Sequence, residues 1–132
     1  ILHGAAVNRM SKLQSVVALS TTEAEFTATT VAVQEAMYQR DFANSMKIKL
    51  PDKPTCVYND NSGSLALTKN PVLHSRTKHF GVKQFFLRDI VNKKIVTVNY
   101  CRTDDMVADV LTKALTKDKH FKLCNIMQGI PN

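Results

Sequence analysis

Three carboxylates stand out by where they fall: Glu25 in ALSTTEAEFTATT, Asp60 in TCVYNDNSG and Asp109 in DDMVADVLTK. Carboxylates brought to one place offer hard oxygen ligands, the donor type that Mg²⁺ needs for metal-assisted hydrolysis of phosphate esters. Each also has a structural reading. Ser20-Thr21-Thr22-Glu23 has the form of a capping box, in which the hydroxyl caps the first amides and Glu23 reaches back. Glu25 lies two residues on, about 200° around a helix of 3.6 residues per turn, so Glu23 and Glu25 cannot serve the same site. Thr22-x-x-Glu25 could form a second capping box. Asp60 ends an apolar strand, where ligands collect in α/β sheets, yet an Asp there could equally cap the helix that follows. Asp104 and Asp105 suit a helix start, where acids meet the positive dipole end. Asp109 lies past that first turn and lacks the same explanation.

The elements that must position these residues alternate. SVVAL at 15–19 is short and β-branched and predicts a strand, and residues 22–48 predict a helix with Phe26, Val33 and Met37 at helical spacing. Leu50-Pro51-Asp52-Lys53-Pro54 breaks that helix. A strand follows at 55–60, a short helix at 62–69, and an amphipathic helix at 77–92. KIVTVNYC at 94–101 alternates as a strand, and helices are expected over 103–115 and 117–128. Strands alternating with helices, without repeats or a long linker, describe a single α/β domain over residues 1–132.

Composition narrows the function. The chain has 132 residues, 44% of them hydrophobic, which suits a globular domain with a real core. Three scattered cysteines, with no CxxC or Cys/His ligand spacing, indicate neither a disulfide framework nor a zinc site and suggest a reducing, intracellular setting. No apolar run approaches the roughly 20 residues that span a bilayer. Charge is uneven. Residues 1–68 hold six basic and six acidic residues, whereas 69–94 hold seven basic residues against Asp89 alone, so six of the seven net charges sit in 26 residues. Such a concentration suits a polyanion, although a solvated helix face would look the same.

Taken together, VVALSTTEAEF, VYNDNSGSLALTKNPVLHSRTKHFGVKQFFLRD and VADVLTK, in that order, resemble the ribonuclease H domain of copia-type retrotransposon Pol polyproteins over roughly residues 4–128. The resemblance implies a ribonuclease H-like α/β fold, a mixed central sheet flanked by helices. It also implies a reaction: Mg²⁺ (or Mn²⁺) ions held by four carboxylates direct water at a phosphate of the RNA strand of an RNA–DNA hybrid. By position in the family's blocks, Glu25, Asp60 and Asp109 are three of those ligands. Arg76, Lys78 and Lys83, in and after HSRTKH with His74 and His79, become candidates for hybrid contact, and Asn61 and Ser62 for positioning phosphate or water. The implied partner is the reverse transcriptase region of the same polyprotein, and the implied location a cytoplasmic virus-like particle, with no membrane.

The sequence departs from the family in one large respect. The family's first metal-binding aspartate lies on a strand before LHGAAVNRMSKLQS, and residues 1–22 contain no acid. The expectation is an N-terminally truncated domain without its first strand, weak or inactive by itself, with an exposed sheet edge that invites self-association. The alternative is an inactive nucleic-acid-binding or relic interaction domain of the same origin. Gly81 and Ala114 are lesser departures, where an acid and a proline are usual, and no histidine precedes Asp109 to assist product release.

Overall fold

The computed structural model describes residues 5–15, 17–69 and 78–130, with the side chains of Lys78 and His79 left out. It is α/β, in the order α1 (Thr21–Ser45), β1 (Thr55–Asn59), α2 (Ser62–Lys69), α3 (Lys78–Asn92), β2 (Val96–Tyr100) and α4 (Lys117–Gln128). Two compact units divide the chain: Ala18–Tyr100, and Ile1–Val17 together with Cys101–Asn132. Among the described residues, no helix is long and apolar enough to cross a membrane.

In the first unit, β1 and β2 pair in parallel, from Thr55 opposite Val96 to Asn59 opposite Tyr100. A parallel pair needs a crossover, supplied here by α2 and α3. Two strands alone are marginal in water, and the pair is stabilised by an apolar core. Phe26 and Val33 of α1, Leu87 and Ile90 of α3, and Val96 and Val98 of β2 are buried together. The Phe26 and Phe80 rings tilt against each other at 5.2 Å between centroids.

Helix α1 is fastened to β1 at both ends of the strand. The Arg40 guanidinium donates to Thr55 Oγ1 at 3.0 Å, and the Asn59 amide donates to Thr29 Oγ1. Eleven helical residues rise about 16 Å and four strand steps about 13 Å, so the two elements run antiparallel with matching lengths. Both α1 and α3 end in Schellman turns with a lysine in the left-handed position, Lys47 (φ 59°) and Lys94 (φ 56°). Ile48 N–H reaches Ala43 C=O, and Ile95 N–H reaches Ile90 C=O.

In the second unit, α4 packs against the turn at 107–111 and buries Leu123. Ala6 N–H donates to Met127 C=O at 2.8 Å, which ties the chain near its start to α4.

Two expected elements do not form. The described residues of 15–19 are not a strand, and Val17 and Leu19 are exposed. A β-branched run becomes a strand only where another strand pairs with it, and among the described residues β1 and β2 form a sheet of two. The helix expected over 103–115 is two 3-10 turns, Thr103–Asp105 and Val107–Leu111. Met106, with an extended backbone (ψ 99°), separates them. Asp104 and Asp105 face α4, pairing with Lys119 and Lys122 at 3.2 Å each, which favours the tighter turn.

Candidate functional site: two acids at a helix–strand junction

The N-terminus of α1 separates its two glutamates cleanly. Ser20 is the N-cap, its Oγ accepting from Glu23 N–H at 3.1 Å. The Glu23 carboxylate folds back and accepts from Leu19 N–H at 2.9 Å, one residue beyond the N-cap amide of an ideal capping box. Glu23 is therefore spent on the helix start. Glu25 is exposed and lies three residues after Thr22 and four before Thr29, on one stripe of the helix. Both neighbours on that stripe touch the β1–α2 turn. Thr29 meets Asn59, and a Cβ added to Gly63 would lie 3.0 Å from Thr22 Oγ1. The stripe that carries Glu25 thus faces the turn that carries Asp60.

That turn is held by a buried amide. Asn59 is 4% exposed and closes β1 on its inward face, the face shared with Thr55 and Val57. Its Nδ2 donates to Thr29 Oγ1 and, at 3.1 Å, to Ser64 Oγ, while its Oδ1 accepts from Asn61 N–H at 2.6 Å. Thr29 Oγ1 in turn donates to Glu25 C=O at 2.8 Å. One hydrogen-bonded path therefore runs from the backbone of Glu25 through Thr29 and Asn59 to the amide after Asp60.

Asn61 is the N-cap of α2. Its Oδ1 accepts from Ser64 N–H at 2.9 Å, and its C=O takes Leu65 N–H at 3.0 Å. The N-cap position of α2 therefore belongs to Asn61 and not to Asp60. This role commits the Asn61 side chain to the fold. Ser62 is exposed at the first position of α2, and Asp60 is half-buried. Gly63 lets the first turns of α1 and α2 approach, so two positive helix ends converge beside Asp60 and Glu25. Asn59, Thr29 and Gly63 were missed as site residues. The signal for Asn59 lay in the period-2 pattern, which places residue 59 inward with 55 and 57.

Asp109 belongs to the other compact unit. It is 5% exposed in the 107–111 turn, and Oδ1 pairs with Lys113 Nζ at 2.9 Å. Its Oδ2 is buried without a hydrogen-bond partner. A buried carboxylate oxygen left in that state is costly, and it is the kind of atom a cation or a water would satisfy. Among the described residues, no group of three or more His, Cys, Asp or Glu side chains gathers closely enough to hold a metal ion.

The basic candidates are more scattered. Arg76 and His74 lie outside the described residues, as do the side chains of Lys78 and His79. Lys83 is half-buried on α3, and its ammonium donates to Thr27 Oγ1 on α1 at 3.4 Å.

Comparison with known proteins places the chain in a larger context. It is 37% identical over 127 residues to the retrovirus-related Pol polyprotein from transposon TNT 1-94 of Nicotiana tabacum, covering 96% of this chain and 9% of that protein. It is 36% identical over 107 residues to each of the retrovirus-related Pol polyproteins from transposons RE1 and RE2 of Arabidopsis thaliana, covering 81% of this chain and 7% of theirs. The chain spans less than a tenth of the length of these relatives. No family model and no solved structure matches it. The similarity supports a region of a retrotransposon Pol polyprotein.

Proposed function

We propose that this region is the ribonuclease H portion of a copia-type Pol polyprotein, which cleaves the RNA strand of RNA–DNA hybrids during reverse transcription. The observation that carries the reading is the junction of α1 with the β1–α2 turn. Glu25 stands on the helix stripe that faces the turn of Asp60, and the N-caps of α1 and α2 are Ser20 and Asn61. Similarity to a plant Pol polyprotein over 96% of the chain supports the polyprotein part of this reading.

The donor chemistry fits Mg²⁺ or Mn²⁺. Glu25 and Asp60 offer hard oxygens from neighbouring elements, and Asp109 carries a buried oxygen without a partner. Glu25 and Asp60 would hold an ion at this junction, with Asp109 a further ligand only as the resemblance implies, and an ion so held would activate water and stabilise charge on the phosphate. The chain's own residues supply the rest. The Asn59–Thr29 path fixes the backbone beside both acids, so only their side chains need be ordered on binding. Lys83 on α3, with Arg76 and Lys78, would meet the phosphates of the hybrid, and Ser62, exposed two residues after Asp60, would contact one of them. The domain would work next to the reverse transcriptase region of its polyprotein, in a cytoplasmic particle.

A second reading is a nucleic-acid-binding domain without cleavage. It draws on the absence, among the described residues, of any group of three acids able to hold an ion. One experiment separates the two. An RNA–DNA hybrid, labelled on each strand in turn, is incubated with the chain in Mg²⁺ and then Mn²⁺, beside Asp60→Asn. RNA-strand cleavage that disappears in Asp60→Asn supports the enzyme. Salt-sensitive binding without cleavage, equal in both proteins, supports the binding module.

A further inference from the structure

The second compact unit contains a cavity of about 510 Å³ whose lining includes none of the acids of the proposed nuclease. One wall is the α4 stripe of His120, Cys124 and Met127, and Val110 and Leu111 contribute apolar surface. Positions i, i+4 and i+7 fall on one helix face, so an imidazole, a thiol and a thioether line the same space, and His120-x3-Cys124 is a Cys/His spacing that corrects the expectation of none. Cys124 Sγ lies 3.5 Å from His120 Nε2. A first-row ion about 2.3 Å from sulfur and about 2.0 Å from nitrogen spaces those two donors roughly 3.5 Å apart at a near-tetrahedral angle. The pair therefore already stands at the separation of two ligands on one ion.

We propose that His120, Cys124 and Met127 form a binding site for a soft, thiophilic metal ion, Cu(I). The donor set selects the ion. Thioether and thiolate favour Cu(I), whereas Mg²⁺ requires oxygen. Arg9 also lines the cavity. A guanidinium there opposes an ion held by charge alone and tolerates one held by covalent bonds to sulfur. His120 is exposed and Cys124 half-buried, so the donors are reachable from solvent. Binding replaces the S–H bond of Cys124 by a Cu–S bond and releases one proton to solvent, with no change of oxidation state. This site is independent of the proposed nuclease activity.

The test is transfer of Cu(I) from a coloured chelator complex to the purified full chain, under reducing and anaerobic conditions, with Zn²⁺ and Mg²⁺ in parallel. One equivalent of Cu(I) should bind with release of a proton. Binding should be lost in Cys124→Ser and His120→Ala and weakened in Met127→Leu, while Cys56→Ser/Cys101→Ser binds as before. Far-UV circular dichroism confirms that each variant is folded, and His120 and Cys124 are accessible enough for these changes to leave α4 intact. Binding that survives Cys124→Ser, follows Cys56 or Cys101, or is no tighter than that of a free thiol would overturn the proposal. Zn²⁺ held as tightly as Cu(I) would overturn the choice of ion.

Discussion

At the end of β1, the groups flanking Asp60 are woven into the fold: Asn59 bonds to α1, to α2 and to the next backbone amide, and Asn61 caps α2. Around Asp109, a 3-10 turn carries a buried carboxylate with one oxygen on Lys113 and the other unpartnered. The first region spends polar groups to hold an acid in place. The second spends stability to keep an acid buried. Positioning and poising are different tasks, and substitutions should tell them apart by their sign as well as their size.

The largest effect belongs to Asn59→Ala. It deletes three hydrogen bonds inside the first unit and leaves Ser64 Oγ and Asn61 N–H without a protein partner. Each buried group so exposed costs about 1–3 kcal/mol, so a loss of about 3 kcal/mol is expected. Urea unfolding followed by far-UV circular dichroism measures it. A change below about 1 kcal/mol would mean that water replaces the amide, and that the junction is not rigid.

Gly63→Ala comes next. The new Cβ would stand 3.0 Å from Thr22 Oγ1 and 3.2 Å from Thr22 Cγ2. Thr22 is β-branched and stiff at χ1, so it gives little, and the clash outweighs the helix propensity gained, which is about 1 kcal/mol. A net loss of about 1 kcal/mol is expected, with the double variant Gly63→Ala/Thr22→Ala recovering most of it. If Gly63→Ala is neutral without that second change, the first turns of α1 and α2 are not in contact as described. Glu23→Ala should cost less, about 0.5–1 kcal/mol, for the lost bond to Leu19 N–H. It should leave any Mg²⁺-dependent rise in Tm intact, whereas Glu25→Gln should abolish that rise.

How much of this was legible beforehand follows from what local pattern encodes. The helical spacing of Phe26 and Val33, the Pro51–Pro54 break and the alternation ending in Asn59 locate α1, β1 and their boundary, because each reflects a nearby steric or burial constraint. Angular position separated Glu23 from Glu25, the capping-box pattern gave Glu23 its role and the resemblance alone gave Glu25 its own; the structure agrees that Glu23 caps. SVVAL misled because strand propensity says nothing about whether a neighbour exists to pair with. Residues 103–115 misled for a related reason: ion pairs from Asp104 and Asp105 to α4 are tertiary, and they favour a tight turn over the helix that the acids seemed to start. For Asp60 a cap stayed open as an alternative because capping residues differ little in type. Only the structure shows that Asn61 takes the role.

The smallest stability effect should come from Asp109→Asn, and that smallness is its value. The pair with Lys113 is half-exposed on the lysine side, and such bridges contribute about 0–1 kcal/mol. Against that loss, the substitution removes a negative charge from a site where Oδ2 has no partner. The two terms oppose each other, so metal-free unfolding should change by less than about 1 kcal/mol. In Mg²⁺ the comparison sharpens. A ligand that binds only the folded state raises stability by RT ln(1 + [L]/Kd), and Asp109→Asn should lose that increment. Asn59→Ala should start lower and bind the ion less tightly. A large loss in metal-free Asp109→Asn would show that Oδ2 is satisfied in solution, and Asp109 would then belong with the structural residues of the first kind. A neutral result with the Mg²⁺ increment gone would place its burial at the service of an ion.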